Sequence, residues 1–450
     1  MRARWVRRSV VALSSLLLLL LAGPAIAQTA VPSEAAAEAS EAATEPGVEE
    51  PSETVFGFLR RPGEEGEEDV PVEGAQIVIR TDGQEVGTAE TDADGRFEFG
   101  LPGPGQYEAE LLLDTLPEGA TLTSEAEDAN ILTFTIAPNQ TRPLLFRLGE
   151  SSSVTRGLLR EFLQLSVEGV KFGLIIAMAA IGLSLVFGTT GLVNFAHGEL
   201  VSFGAILAWF FNATLGMHLI PALLLALVVG AAFSGLVDLG LWRPLRRRGT
   251  SLIAMLVVSV GLSLFLRYAM LYQFGGRSRP YRQYAIQAGI DLGPIRIAPK
   301  DLIMVAVSII VLIAVGLILQ KTKIGKAMRA VADNRDLAAS SGIDVQRVIL
   351  FVWVLAGALA TLGGMFLGLG EQVTWDMGFT MLLLMFAGVI LGGLGTAYGA
   401  LVGSLVVGLF VQLWALFLPA ETKNVGAFVV LILVLLVRPQ GILGRRERIG

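Results

Sequence analysis

Nine apolar segments after residue 165 constrain the fold of this chain more than any other feature, because each is close to the length at which a helix crosses a bilayer. A transmembrane helix needs about 20 predominantly apolar residues. The second, seventh and ninth segments are short and could be half-helices or share one hairpin. The pattern predicts a polytopic α-helical membrane protein of about eight to nine spans, with helices over 166–187, 194–213, 219–241, 251–272, 302–320, 348–369, 379–395, 398–418 and 424–437.

The composition narrows the function classes. Of the 450 residues, 53% are hydrophobic and 16% are charged, whereas soluble domains carry about 25% charged residues. The net charge of −6 provides no basic excess for nucleic acid. The chain has no cysteine and two histidines, which excludes disulfides and thiolate metal sites and nearly excludes a multi-histidine metal centre. A transporter, a channel or a membrane-bound receptor remains.

Two segments precede the first predicted domain. Residues 1–27 combine a basic start, an apolar run and Ala25-Ile26-Ala27, which together are typical of a cleaved signal peptide. The alternative is a retained membrane anchor. Residues 28–54 consist mainly of Ala, Glu, Pro and Ser and lack the apolar surface that offsets the entropy of ordering. We predict a signal peptide over 1–27 and a disordered acidic linker over 28–54, so the next segment begins outside the cytoplasm.

Between residues 55 and 149 the apolar pattern alternates with period two, as in half-buried strands. About seven short strands separated by turns predict a small all-β sandwich. The stretches Thr91-Asp92-Ala93-Asp94-Gly95-Arg96-Phe97 and Pro104-Gly105-Gln106-Tyr107 resemble carboxypeptidase regulatory-like and Cna B-type immunoglobulin-like domains. The resemblance implies an extracytoplasmic immunoglobulin-like β-sandwich over 55–149, and a linker follows over 150–165.

Asp92 and Asp94 are the candidate calcium ligands of this β region. A calcium-binding loop needs further oxygen ligands and a closing glutamate after the glycine, but a predicted strand follows here. We therefore interpret the two aspartates as part of a hairpin turn.

Basic residues indicate the orientation of the spans, since cytoplasmic connections are enriched in Lys and Arg. If the first helix starts outside, the basic clusters at 243–248, at 321–347 and after residue 437 all lie in the cytoplasm. The loop over 273–300 also holds four arginines and falls outside in this arrangement. On balance the charges predict an odd number of spans and a cytoplasmic C-terminus.

A break between the first two predicted helices is the strongest candidate for a translocation site. Asn194-Phe195-Ala196-His197-Gly198-Glu199 follows Gly188-Thr189-Thr190-Gly191. Helices that end and restart expose backbone polar groups, which at membrane depth occur beside polar cavities or inside protein. Asn194, His197 and Glu199 are therefore candidates for the translocation path. The alternative is that Asn194 caps a helix at the cytoplasmic boundary, with the other two pairing nearby.

Other charged side chains in predicted spans receive structural interpretations. Glu168 and Lys171 are predicted to pair along one helix face. Asp238 is expected to meet arginine at the surface next to the basic loop, and Arg267 to extend toward the outer interface.

Glycines at intervals of four predict close helix packing, at Gly395, Gly399 and Gly403. The connection over 321–347 predicts a short amphipathic cytoplasmic helix, which either lies on the membrane or docks in a partner. Its small-residue end favours docking, because it lacks bulky apolar anchors.

Four motifs in fixed order resemble the permease subunits of branched-chain amino-acid ABC importers over about residues 165–445. They are Gly188 with Asn194-Phe195-Ala196-His197-Gly198-Glu199, Arg329-Ala330 with Asn334 and Ala338-Ala339-Ser340-Ser341-Gly342-Ile343, Gly392-Gly393-Leu394-Gly395-Thr396 with Gly399-Ala400, and Arg438-Pro439-Gln440-Gly441.

The resemblance implies a permease domain over 166–450 and a coupling helix over 326–345 that seats in a cytoplasmic ATPase. The implied coupling residues are Lys326, Arg329, Asn334, Ala338, Ala339, Gly342 and Ile343. The implied partners are two cytoplasmic ABC ATPases, a second permease (homologous or identical) and an extracytoplasmic solute-binding protein, with an amino acid as substrate. The chain lacks a G-x-x-x-x-G-K-[ST] loop, so we expect no enzyme activity and no cofactor beyond ATP on partner subunits.

Three alternatives remain from the sequence. A urea or short-amide permease belongs to the same wider family, and a secondary transporter would act without an ATPase. A structural or adhesion receptor would need far fewer spans than are predicted here.

Overall fold

The computed structural model describes residues 53–61, 70–81, 83–117, 130–136, 141–144, 146, 148, 158–284, 287, 289–417 and seven single positions between 425 and 442. The chain divides into two compact units, a β region before residue 156 and a helical region after it. The predicted signal peptide lies outside the described residues, as do most of the linker over 28–54 and most of the predicted ninth helix over 424–437.

The β region consists of nine strands among the described residues. They are β1 (Glu53–Phe58), β2 (Arg60–Arg61), β3 (Val70–Pro71), β4 (Gln76–Thr81), β5 (Gln84–Glu90), β6 (Arg96–Leu101), β7 (Gly105–Leu111), β8 (Ile131–Ile136) and β9 (Thr141–Leu144). A three-stranded sheet has the order β6-β1-β9, and a four-stranded sheet has the order β5-β4-β7-β8. Strand β1 is antiparallel to β6 and parallel to β9, with Val55 opposite Phe99 and Arg142. The four-stranded sheet is antiparallel throughout.

Both of these sheets contribute to one apolar core. In β7, Tyr107, Ala109 and Leu111 are buried, whereas the alternate residues Gln106 and Glu108 are exposed. This alternation arises because successive strand residues face opposite sides of a sheet. The predicted all-β region is confirmed, and its identity as an immunoglobulin-like domain stays a prediction.

The two candidate calcium ligands form a turn. Asp92 Oδ1 accepts hydrogen bonds from the backbone N–H of Asp94 at 3.0 Å and of Arg96 at 2.9 Å. Gly95 follows with φ +74°, which favours glycine because it has no Cβ. The side chain of Asp92 therefore holds the β5–β6 connection.

Eleven helices form the described part of the helical region. They are α1 (Leu158–Thr190), α2 (His197–Trp209), α3 (Leu219–Val237), α4 (Arg243–Arg247), α5 (Leu252–Phe274), α6 (Pro299–Lys321), α7 (Lys323–Asp333), α8 (Arg335–Ser340), α9 (Val345–Gly370), α10 (Met377–Gly392) and α11 (Ala397–Leu413). π-Helical turns extend α2 over Phe210–Thr214 and join α3 to α4 over Asp238–Trp242. The short hairpin β10 (Ile290–Leu292) and β11 (Ile295–Ile297) lies between α5 and α6.

Six helical segments of the described chain are long and apolar enough to cross a membrane, which confirms a polytopic helical membrane protein. They are Leu158–Thr190, Leu219–Arg247, Leu252–Phe274, Pro299–Lys321, Val345–Gly370 and Ala397–Leu416. The second and seventh predicted helices, flagged as short, are α2 with 13 residues and α10 with 16. The π-helical turn of five residues extends α2, whereas α10 remains shorter than the roughly 20 residues of a span.

Two elements of the structure begin before the boundaries that the sequence predicts. Strand β1 begins at Glu53, inside the linker predicted over 28–54. Helix α1 begins at Leu158, inside the linker predicted over 150–165. Hydropathy detects only the apolar part of a helix, and the first two turns of α1 carry the polar residues Arg160, Glu161 and Gln164.

The predicted pair of Glu168 with Lys171 does not form. Lys171 Nζ lies 3.1 Å from Asp301 Oδ2 in the first turn of α6. Glu168 Oε1 instead accepts a hydrogen bond from Gln164 Nε2 at 2.8 Å. Lys171 therefore joins two helices.

Glycines allow α10 and α11 to touch backbone to backbone. A Cβ atom placed on Gly403 would lie 2.0 Å from Gly388 O, and one on Gly399 would lie 2.5 Å from Gly392 O. Gly395 is not on this helix face, because it lies in the turn before α11 with φ +79°. Two of the three predicted packing glycines thus lie at the helix contact, and the third shapes the turn.

Candidate translocation site

The break between α1 and α2 spans residues 191–196, and its backbone groups find partners within the protein. Helix α1 ends at Thr190, and Gly191 has φ +69°. Ser259 Oγ of α5 accepts from Phe195 N at 3.2 Å. Its one hydroxyl proton has two acceptors in reach, Leu256 O at 2.7 Å and Val193 O at 3.3 Å. Asn194 Oδ1 accepts from Ala196 N at 3.2 Å. These contacts satisfy groups that cannot stay unpaired away from water.

The break lies deep in the helical region, and the side chain of Asn194 accepts from Ala196 N instead of capping α2 directly. His197 Nε2 lies 3.0 Å from Ala179 O of α1. Ala179 precedes the end of α1 at Thr190 by about 16 Å, at 1.5 Å per residue. Helix α2 therefore starts beside the middle of α1. The non-helical segment over 191–196 lies inside the helical region.

Glu199, in the first turn of α2, forms a buried ion pair with Arg267 of α5. Arg267 Nη2 and Nε lie 3.0 and 3.2 Å from Glu199 Oε1, and Ser263 Oγ donates to the same oxygen at 2.8 Å. The side chain of Glu199 is 0% exposed and that of Arg267 is 12% exposed. Arg267 does not extend to the interface as predicted, because a carboxylate lies within its reach in the interior.

A second helix begins at the same place. Gly378, in the first turn of α10, packs against Gly198, where a Cβ on Gly378 would lie 2.0 Å from Gly198 O. Gly378 N donates to Ser202 Oγ of α2 at 2.8 Å. The guanidinium of Arg267 lies 3.8 Å from the ring centre of Phe379.

We call this meeting of α2, α5 and α10 the junction, and define it by His197, Glu199, Ser263, Arg267 and Phe379. The first turns of α2 and α10 both contribute residues to it. Helix N-termini carry partial positive charge, which favours a carboxylate such as Glu199. Two buried polar atoms at the junction, Glu199 Oε2 and His197 Nδ1, have no hydrogen-bond partner among the described residues. The junction is therefore charged and incompletely paired, with Glu199 buried and Phe379 38% exposed.

The sequence motif over 194–199 contains His197 and Glu199. Ser263, Arg267 and Phe379 were not connected with that motif in the prediction from sequence. An arginine inside a predicted span was the available signal, since such residues usually pair within the protein. Its partner lies 68 positions away, and no local pattern links the two.

The predicted coupling helix is two helices. Thr322 Oγ1 caps α7 by accepting from Gly325 N at 3.0 Å, and Asn334 Oδ1 caps α8 by accepting from Leu337 N at 2.9 Å. Asn334 breaks the helix because its side chain takes the place of a backbone acceptor. We call residues 323–343, which the sequence predicts to be cytoplasmic, the cytoplasmic segment.

The predicted coupling residues divide by exposure. Ala338 is buried and Ile343 is partly buried against the helical core. Leu337 is 65% exposed. The exposed members are Lys326, Arg329, Asn334, Ala339 and Gly342.

A second buried ion pair lies at the end of α3. Arg246 Nη2 contacts Asp238 Oδ1 at 2.7 Å, with side-chain exposures of 5% and 0%. The expected partnership with arginine is present, but it is buried and not at the surface. Trp242, between the two residues, stacks on Trp353 of α9 with ring centres 5.8 Å apart. The ion pair therefore closes the α3–α4 connection, and the stacked tryptophans join that connection to α9.

Sequence comparisons identify relatives of the helical region. Residues 166–437 match the family described as branched-chain amino acid transport system / permease component. The high-affinity branched-chain amino acid transport system permease protein LivH of Salmonella typhimurium is 32% identical over 300 residues, 64% of this chain and 96% of that protein. BraD of Pseudomonas aeruginosa is 30% identical over 299 residues, with 64% and 97% covered. The probable permease LivH of Methanocaldococcus jannaschii is 29% identical over 286 residues, with 60% and 89% covered.

Proposed function

The chain belongs to the family of branched-chain amino acid transport system permease components, and on that premise we propose that it carries branched-chain, aliphatic amino acids across the membrane as one subunit of an ATP-driven importer. The observation that carries the proposal is the match over 166–437, together with relatives of which this chain covers nearly the whole length. As a family member with six helices of span length, the chain is a multi-pass transport protein.

The translocation path in this proposal passes the junction. Its two short helices begin inside the protein, as in transporters whose broken helices line the substrate site. Asn194, His197 and Glu199 keep the role predicted for them, and Arg267 joins them. The bundle around the junction is apolar, which suits an aliphatic side chain.

The cytoplasmic segment is the proposed contact with the ATPase subunits. It presents basic side chains at Lys326 and Arg329 and a large exposed apolar side chain, Leu337. An exposed apolar side chain next to the small-residue end of a short helix suits insertion into a partner groove. Motion of the ATPases would then reach the bundle through α7 and α9, which flank α8.

The proposed assembly contains two cytoplasmic ATPases, a second permease, identical or homologous, and an extracytoplasmic solute-binding protein. The basic clusters support an extracytoplasmic N-terminal region and a cytoplasmic C-terminus. The domain boundaries carried into this proposal are a signal peptide over 1–27, a linker over 28–54, a β domain over 55–149, a second linker and a permease domain over 166–450. No role is assigned to the β domain.

The test is a pull-down of the tagged full chain in mild detergent, with mass spectrometry of the proteins that co-purify. We expect a P-loop ATPase and a solute-binding protein, and the latter should bind leucine, isoleucine or valine. Leu337→Asp should lose the ATPase because it places a charge in the apolar contact. Leu113→Asp is the matched control, since Leu113 is 48% exposed in the β region.

Two results would contradict the proposal. Substrate flux through liposomes that contain this chain alone favours a secondary transporter. Recovery of a binding protein that takes urea or a short amide keeps the permease and replaces the substrate.

A further inference from the structure

The junction holds a charge pair whose hydrogen bonds are unevenly distributed. All three donors from Ser263 and Arg267 go to Glu199 Oε1. Glu199 Oε2 is buried and accepts no hydrogen bond among the described residues. A carboxylate has acceptor sites on both oxygens, so Glu199 Oε2 is available for a donor that the described residues do not provide.

The cost of placing these charges inside a membrane protein argues for a use beyond packing. Both charges lose hydration, and well-packed apolar residues often stabilise an interior as well as an ion pair does. Charged groups within spans usually face substrate or ion pathways. The pair lies beside the break over 191–196 and beside the first turn of α10, where Gly198 and Gly378 touch without side chains.

Arg267 is suited to bind a carboxylate other than that of Glu199. Its planar guanidinium binds carboxylates through two parallel N–H donors, and here it lies over the ring of Phe379. The ring contact positions the guanidinium while leaving its edge for hydrogen bonding. The side chain of Arg267 is 12% exposed.

On the basis of the proposed function, we propose that Glu199 and Arg267 exchange partners with the head group of the transported amino acid. Arg267 releases Glu199 and takes the substrate carboxylate, and Glu199 takes the substrate ammonium through both oxygens. No bond is made or broken beyond hydrogen bonds and ion pairs.

Charge balance selects the class of ligand. Within the pair, Glu199 and Arg267 carry opposite charges, and so do the two ends of a zwitterion, so the exchange forms two neutral pairs. Asp376, which precedes α10 and lies near Glu199, is partly exposed and stays outside this exchange. A carboxylic acid without an amine, or an amine without a carboxylate, leaves one unit charge unpaired in the interior, which is strongly unfavourable. Urea has no charge to separate the pair. The junction therefore selects α-amino acids over the short amides that the sequence left open.

The experiment measures the thermal unfolding midpoint of the purified full chain, with any subunits that co-purify, against four small molecules. They are leucine, 4-methylpentanoate, 3-methylbutylamine and urea at equal concentrations, without the binding protein. We expect leucine alone to raise the midpoint, because a ligand of the native state stabilises it. An absent leucine shift, or an equal shift with a single-charge analogue, overturns the proposal.

The test variant is Glu199→Gln with Arg267→Gln, which removes both charges and leaves neither unpaired. It should lose the leucine shift, and reconstituted with its partners it should take up leucine at least about 10-fold more slowly, the loss expected for one charge-assisted hydrogen bond. The control is Lys171→Gln with Asp301→Asn, which removes an interhelical ion pair of 3.1 Å away from the junction. The control should keep the shift and the uptake.

Arg267→Lys covers the case in which the double variant does not fold. It keeps the charge and loses the planar fork, so leucine binding should weaken by about 10-fold while expression is retained. A leucine shift unchanged in this variant or in the double variant refutes the exchange. If wild-type complex imports leucine without any leucine shift, the proposed function stands and this site is wrong. Import of urea in place of leucine refutes both.

Discussion

Replacing Gly403 with alanine adds a single Cβ atom at the contact between α10 and α11 and so tests that contact. The added Cβ would lie 2.0 Å from Gly388 O and 2.7 Å from Gly392 N, both backbone atoms that no side-chain rotation removes. Ordinary contact begins at 3.4 Å, so the two helices must separate locally by 3.4 − 2.0 = 1.4 Å. Overpacking of an interior costs about 1–3 kcal/mol, and the rigid partner places this substitution near 3 kcal/mol.

The matched control is Gly261→Ala in α5. No atom lies within 4 Å of a Cβ at that position, and alanine in a helix is about 0.5–1 kcal/mol more favourable than glycine. Both variants gain the same helix propensity, so their difference isolates the helix contact.

The assay is unfolding in lipid–detergent micelles, followed by helical circular dichroism and tryptophan fluorescence. We expect Gly403→Ala to be about 3 kcal/mol less stable than Gly261→Ala. Equal stabilities of the two variants would show that α10 and α11 do not meet at Gly403, and the argument for close backbone packing would fail.

Three further predictions concern other parts of the chain. Arg246→Met should lower the unfolding free energy by about 3 kcal/mol because it removes the ion-pair partner of the buried Asp238 carboxylate and leaves only the weaker electrostatic contribution of Arg243. Adding Asp238→Leu should restore most of the loss, and additive losses in a double-mutant cycle would contradict this. Gly342 has φ +83° and open space around its Cβ position, so Gly342→Ala and Gly342→Trp share the same backbone strain, and only the bulky variant should abolish coupled uptake while still inserting in the membrane. Burial raises the pKa of Tyr107 above its usual 10.0, so the unfolded chain loses this proton first and the stability of the β region should fall as pH rises above 10.0. Tyr107→Phe should remove that alkaline slope in urea titrations of the fragment 53–148, and an unchanged slope would contradict it.

Much of the local structure follows from the sequence alone. Apolar runs predicted the spans, and period-two alternation predicted strands such as β4, β6, β7 and β8. These features are local because a segment's solvent preference depends on its own side chains. The same locality explains the errors at the ends of α1, where polar residues continue the helix beyond the apolar run.

The candidate site was predicted only in part. Broken helicity around Asn194 marked one half of the junction, but the depth of the break depends on where His197 meets Ala179 of α1. The break within the cytoplasmic segment followed from Asn334, whose capping geometry a continuous amphipathic pattern conceals.

The sequence by itself determined that this chain is a membrane protein of many helices with a β region before them, because hydrophobicity and periodicity act through neighbouring residues. Only the tertiary structure decided which charges pair. Glu199 and Arg267 are 68 positions apart. Lys171 pairs with Asp301 of another helix and not with Glu168 of its own helix. In an interior without water a charge pairs with whichever opposite charge the packing brings near, and helix packing carries no trace in the local pattern.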